Sequence, residues 1–176
     1  NAEKQAGYDF EAGAGIHLEP LGVFSQKHKS LDELPNGGTI GIISDTSNQE
    51  RALRLLATQG LVSIPEGEGD VNVNTVTKLK DFSFNEVEGP QLVRSLEDFD
   101  YAVINGNFAQ EGGLSLSGDA LVVESPVDNP AVNVLVWKNG SDKAAAIAKL
   151  EELLHSDQVK QYIESTWSDG SVIPAF

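Results

Sequence analysis

The chain of 176 residues has no cysteine, and its 12 basic residues face 27 acidic ones. Without cysteine there are no disulfides, no thiolate chemistry, no cysteine-ligated zinc and no iron–sulfur cluster. A net charge of −15 repels polyanions, so DNA, RNA and anionic membrane surfaces are disfavoured partners. No apolar run approaches the roughly 20 residues needed to span a bilayer. The opening residues also lack the basic, apolar and small-residue order of a signal peptide, which fits a cytosolic chain or the mature piece of an exported one. There is no internal repeat, heptad array, phosphate-binding loop or dinucleotide fingerprint. The length fits one large domain or two small lobes.

What is present centres on residues 39–60, TIGIISDTSNQERALRLLATQG. Thr39 to Ile43 is a β-branched apolar run of strand length, broken by the polar cluster Ser44-Asp45-Thr46-Ser47-Asn48. Ser47 and Glu50 have the spacing of a capping box, which predicts a helix starting near Ser47. Ala52, Leu53, Leu55, Leu56 and Ala57 share one face of that helix, and Arg51, Arg54 and Thr58 share the other. Arg51 then projects outward from the first turn, at the positive end of the helix dipole. An anion held there by the guanidinium and backbone N–H groups would relieve the conflict. The alternative is a solvated arginine paired with Glu50, Asp45 or water, whose truncation changes stability by no more than about 0.5 kcal/mol.

Around this segment the pattern is α/β. Residues 1–15 are polar and Gly/Ala-rich and begin without a cap or strand signal, as though the chain were entered partway through an element. Ile16 to Ser25 reads as extended, interrupted by Pro20. After the central helix come an extended piece at Leu61–Ile64, a loop, a short helical piece at Thr75–Lys80 and an alternating strand at Phe82–Val87. A helix at Pro90–Glu97 and a strand at Tyr101–Ile104 follow. Strands alternating with helices imply right-handed crossovers and a mainly parallel sheet over Thr39–Asn105. Two more strands, Ala120–Glu124 and Ala131–Lys138, precede a helical end. There Ala146, Leu150, Leu153 and Leu154 form one apolar stripe, and Val159, Tyr162, Ile163 and Thr166 another, both read as core packing.

A second candidate site is Ile104-Asn105-Gly106-Asn107-Phe108, at the carboxyl end of an expected strand, where α/β sheets bind ligands. Asn105 and Asn107 offer amide donors and acceptors suited to the ammonium and carboxylate of a zwitterion, and Gly106 lets backbone approach closely. An ordinary Asn-Gly turn is the alternative. Catalytic groupings are thin. His17, His28 and His155 are far apart in sequence, and only His17 and Glu19 stand close together. Ser115 and Ser117 lie in a glycine-rich stretch without a nucleophile elbow. No catalytic residue, metal or cofactor is assigned.

Four motifs in order resemble the methionine-binding lipoprotein family, the substrate-binding subunits of methionine ABC importers. They are GIHLEPLGVFSQKHKSLDELPNG (15–37), IGIISDTSNQERALRLLATQGLV (40–62), QLVRSLEDFDYAVINGNFAQEGGL (91–114) and the ending GSVIPAF (170–176). The resemblance implies a type 2 periplasmic-binding-protein-like α/β fold, with two lobes joined by crossover strands, the first lobe incomplete. Residues 1–38 would hold a remnant of lobe one and the first crossing, 39–124 lobe two, and 125–176 the return crossing and terminal helices. It also implies a non-enzymatic protein that binds methionine or a similar amino acid between the lobes. Its partners would be the importer's membrane subunits and not nucleic acid. The family member would be exported, trimmed of its signal peptide and lipid-anchored in the cell envelope. Arg51 resembles the family's carboxylate-binding arginine, and Asn107 and Asn133 resemble asparagines of its polar shell. Asn129-Pro130-Ala131 stands where the family carries Ser-Pro-Tyr. The other function consistent with the chain is that of a truncated homologue that binds no ligand and acts as an interaction or surface module.

Overall fold

The computed structural model describes residues 7, 9–67, 69–127 and 129–176. Most of the polar opening, residues 1–6 and 8, lies outside them. The elements run β1 (Phe10–Leu18), β2 (Leu21–Phe24), β3 (Gly38–Ile43), α1 (Thr46–Thr58), β4 (Val62–Ser63), β5 (Thr77–Lys78), β6 (Phe82–Val87) and α2 (Gly89–Arg94). They continue with β7 (Tyr101–Asn105), α3 (Gly106–Glu111), α4 (Leu116–Asp119), β8 (Val122–Val123), β9 (Asn133–Lys138), α5 (Ala144–Leu154), α6 (Asp157–Thr166) and β10 (Ile173–Pro174). The chain divides into two units, Pro20–Ser125 on one hand and Asn1–Glu19 with Pro126–Phe176 on the other.

The Pro20–Ser125 unit is built on a five-stranded sheet in the order β6-β3-β7-β2-β8. Alternation puts Leu21, Val23, Ile40, Ile42, Tyr101 and Val103 in one apolar cluster with Ala52, Leu53 and Leu56 of α1. Phe24, Ile43, Ala102 and Ile104 join the opposite cluster with Leu92 of α2, Ala109 of α3 and Leu116 of α4. Helices therefore cover both faces, which explains why β7 reads as a continuous buried run. β3 is parallel to β6 and β7, as the alternation of strands and helices requires. β2 is antiparallel to β7 and to β8, so the whole sheet is mixed. The unit thus begins at Pro20 rather than near residue 39. The cause is a pairing of β2 with strands some 80 to 100 residues away, for which short-range pattern gives no signal.

Several boundaries differ from the expectations. The cap of α1 is Asp45, whose side chain accepts from the Asn48 N–H, and Ser47 lies inside the helix. Glu50 is bonded to Arg54 instead of closing a capping box. Arg51 accordingly sits in the second turn, not the first. At the other end Gly60 takes φ +70°, its N–H meeting the Ala57 carbonyl while the Leu61 N–H meets that of Leu56. This is a Schellman stop, followed by a buried leucine. The expected helix at Thr75–Lys80 is a turn leading into β5, which pairs with β4. Side-chain bonds divert the backbone there, since Thr75 Oγ1 accepts from the Asn72 N–H and Asn72 Oδ1 accepts from the Asn74 N–H. The helix at Pro90–Glu97 ends at Arg94 and passes into a 3₁₀ turn at Leu96–Asp98.

The other unit holds a three-stranded antiparallel sheet, β10-β1-β9, with α5 and α6. β1 begins at Phe10, inside the stretch whose composition showed no strand signal. Of the two stripes read as core, α6 buries Ile163, but Tyr162 is exposed. α5 has no buried residue, and Leu150 and Leu153 are 45% and 52% exposed. The stripe exists, yet the described residues do not cover it. His155 caps α5, its Nδ1 2.7 Å from the Glu151 carbonyl and its Nε2 3.0 Å from that of Gly15.

Candidate functional site

The chain leaves β3 for α1 on one face of the sheet and leaves β7 for α3 on the other, although β3 and β7 are neighbours. This is the topological switch point at which open α/β sheets bind ligands beyond the strands' carboxyl ends. Three candidate residues belong to that edge. Arg51 comes from α1, Asn105 ends β7, and Asn107 is in the first turn of α3.

Arg51 is paired with neither Glu50 nor Asp45. Its Nε and Nη2 donate side-on to Glu124, at 3.2 Å to Oε1 and 2.6 Å to Oε2, and its Nη1 donates to Asn48 Oδ1 at 3.0 Å. The paired side chains are only 17% and 13% exposed, so this is a largely desolvated fork. Glu124 Oε2 also accepts from the Leu21 N–H at 3.1 Å. The backbone closes the same corner, the Glu124 N–H donating to the Leu21 carbonyl at 2.8 Å. Nothing local in the sequence points to Glu124, which is 73 residues from Arg51.

The amides are oriented by the charges at the two ends of this network. Asp45 Oδ1 accepts from both the backbone N–H and Nδ2 of Asn48. That turns Asn48 Oδ1 towards its two donors, Arg51 Nη1 and, at 3.1 Å, Asn105 Nδ2. Asn105 is fixed in turn, because flipping its amide would set two acceptor oxygens against each other. Its Oδ1 is buried and accepts no hydrogen bond among the described residues, and the same holds for Asn107 Oδ1. An unmet buried acceptor costs about 1 to 3 kcal/mol, and these two lie two residues apart at the switch point.

Gln49, which the sequence reading did not single out, is the buried brace behind this edge. It donates from Nε2 to the Ile43 carbonyl and to Glu86, and accepts from the Val73 N–H. Gly106 donates its N–H to the Pro20 carbonyl, consistent with a close backbone approach. Asn133, the fourth candidate, heads β9 in the other unit, where it pairs in register with His17.

Asp100, His28, Tyr101 and Ser115 make structural bonds. At the amino ends of β3 and β7, Asp100 accepts from the N–H and hydroxyl of Thr39, and its Oδ1 lies 3.0 Å from His28 Nε2. The His28 bond, opposed by burial and reinforced by Thr39, holds the Asp100 carboxyl below its usual range. His28 stacks on Tyr101, whose buried hydroxyl donates to the Ser30 carbonyl. Burial, with the nearby charges of Glu33, Asp100 and Asp32, pushes the Tyr101 phenol up to about 12. Ser115 caps α4 through the Gly118 N–H and lies 3.2 Å from Ser117, an arrangement of cap and neighbour. His17 Nε2 lies 3.4 Å from Glu19 Oε1, and among the described residues no three acidic or histidine side chains cluster as a metal would need.

This mixed α/β fold matches solved structures of periplasmic substrate-binding proteins over nearly the whole of this chain. The family model of the NlpA lipoproteins matches residues 1–176, and the chain belongs to that family. A crystal structure described as a putative lipoprotein from Actinomyces odontolyticus is 85% identical, with a TM-score of 0.90 over 100% of this chain and 73% of that one. A nutrient binding protein from Burkholderia cenocepacia, solved bound to methionine, is 32% identical with a TM-score of 0.89, covering 99% of this chain and 73% of that one. The methionine-binding lipoprotein MetQ of Bacillus subtilis is 36% identical over 173 residues, which are 93% of this chain and 61% of MetQ. The chain therefore spans less than two thirds of that relative.

Proposed function

We propose that this chain is the substrate-binding component of an ABC importer, or a portion of one, and that it binds methionine or a similar amino acid without catalysing a reaction. The observation that carries the reading is the pair of buried, unmet amide oxygens on Asn105 and Asn107 at the switch point, with Asn105 joined through Asn48 to the Arg51 guanidinium. An α-ammonium supplies the donors that the oxygens lack, and an α-carboxylate is the natural partner of an arginine fork. Asn133 is retained as a fourth ligand residue on the family resemblance. The names of the relatives support the cargo and the transporter class. By the same support the protein works at the cell envelope as an exported, lipid-anchored protein that delivers its cargo to the importer's membrane subunits.

Isothermal titration with L-methionine and with its carboxamide tests this. Methionine should bind, and the amide, lacking the charge that pairs with Arg51, should bind more weakly by about 2 to 4 kcal/mol. Equal heats for the two compounds, or none for methionine, refute the reading.

A further inference from the structure

We propose that Glu124 is an intramolecular carboxylate seated where an anionic ligand meets Arg51, so that a ligand's carboxylate enters by exchange with it. The inference rests on the reading that Arg51 serves ligand binding, and it adds the residue that sets the affinity of that site. Glu124 makes the two parallel N–H···O bonds that a free carboxylate makes with a guanidinium, at 3.2 and 2.6 Å. Only one carboxylate can hold the Nε and Nη2 edge side-on. A second one brought to the same edge would meet Glu124 at like-charge distance in a place where both side chains are largely out of water.

Of the two partners, Glu124 is the one able to move. Arg51 stands inside a 13-residue helix with an Asp45 cap and a Schellman stop. Glu124 follows a two-residue strand at the edge of the sheet. Short edge elements with few backbone bonds open at lower cost than a packed helix. Glu124 is also placed to pass its state on, since it immediately precedes Ser125, the last residue of its unit, and accepts from the N–H of Leu21, the second. Its side chain ties together the segments by which the chain enters and leaves the Pro20–Ser125 unit. Exchange at Arg51 releases that side-chain tie, while the backbone bond from the Glu124 N–H to the Leu21 carbonyl stays.

The test is chemical rescue in the full chain. Glu124→Ala removes a CH₂ and a carboxylate, the outline of acetate, and leaves Arg51 without its fork partner. Its melting temperature should fall in sodium chloride and recover by at least half in sodium acetate of equal ionic strength. Acetamide should not restore it, and the Arg51→Ala/Glu124→Ala double variant should not respond to acetate. Acetate that does no better than chloride overturns the proposal. Should Glu124→Ala fail to fold, Glu124→Gln keeps an acceptor for the Leu21 N–H while removing the competing charge. If Glu124 holds the seat nine times in ten, Glu124→Gln should bind L-methionine about tenfold more tightly than wild type. Unchanged or weaker binding overturns the proposal. Acetate rescue in a protein whose wild type ignores methionine upholds the exchange seat and refutes only the cargo. Methionine binding by wild type without acetate rescue does the reverse.

Discussion

A double-mutant cycle on Arg51 and Glu124 measures whether the fork is a structural bond or a surface decoration. Loss of one member of a fully buried ion pair costs about 3 to 5 kcal/mol. An exposed pair contributes about 0.2 to 1. With side chains 17% and 13% exposed the pair lies nearer the buried limit. Arg51→Ala also takes a donor from Asn48 Oδ1, and Glu124→Ala takes an acceptor from the Leu21 N–H. Each single variant should therefore lose about 2 to 3 kcal/mol, or roughly 4 to 12 °C in melting temperature for a chain of this size. The double variant should lose little more than either single one, giving a coupling near 2 kcal/mol. Urea denaturation reads this through the midpoint, provided the slope is unchanged. The Arg54–Glu50 pair, 56% and 43% exposed one turn away, is the internal control and should couple by no more than about 0.5 kcal/mol. If both pairs couple equally weakly, the fork is a surface contact, and the expectation of a near-neutral Arg51→Ala that the sequence alone allowed would be right.

Asp45→Ala should cost about 1 kcal/mol, because it removes the cap of α1, while Ser47→Ala should stay within about 0.5; urea midpoints in the reverse order would restore the capping box. Asp100, with its carboxyl depressed chiefly by His28, contributes stability that is present above its ordinary value of 3.8 and is lost as pH falls through its lowered one. Asp100→Asn should flatten the acid limb of the stability profile below about pH 4, and an unaltered limb would contradict the assignment. Tyr101 has the opposite sign. Its phenol is raised from 10.0 to about 12, so its contribution is full below pH 10 and disappears as pH climbs towards 12. Tyr101→Phe should remove that alkaline loss and, by leaving the Ser30 carbonyl without its donor, cost about 1 kcal/mol at neutral pH.

What could be read from the sequence was local and strongly periodic. β3, α1, β6 and β7 stand out because β-branched runs, an apolar alternation and a helical apolar face occur within windows of five to thirteen residues. Asn105 and Asn107 stand out as candidates because one ends and the other follows such a strand, and strand ends are where α/β sheets place ligands. Failures arose where two local signals compete or where the partner is remote. Asp45 and Ser47 are both good caps, and Asp45 prevails because its carboxylate meets two donors of Asn48 at once. The stretch at Thr75–Lys80 looks helical until its own Asn and Thr side chains take the backbone donors. Arg51 was identified but its partner was not, since Glu124 is brought to it only by the pairing of β8 with β2 and β2 with β7.

That remote pairing also bears on what the site can recognise. With Glu124 on Arg51 that guanidinium is already neutralised, and the unmet buried side-chain groups beside it among the described residues are the amide oxygens of Asn105 and Asn107. A simple anion gains no uncompensated positive charge there, and the chain's net charge of −15 repels it before it arrives. A simple cation is attracted by the same field, but it leaves the arginine fork unused. A zwitterion carries no net charge to be repelled, can offer its carboxylate in exchange for Glu124, and brings the N–H donors that Asn105 and Asn107 lack. The acidic composition and the geometry of the switch point therefore favour the same ligand class. The preference follows from the charge on Glu124 as much as from that on Arg51.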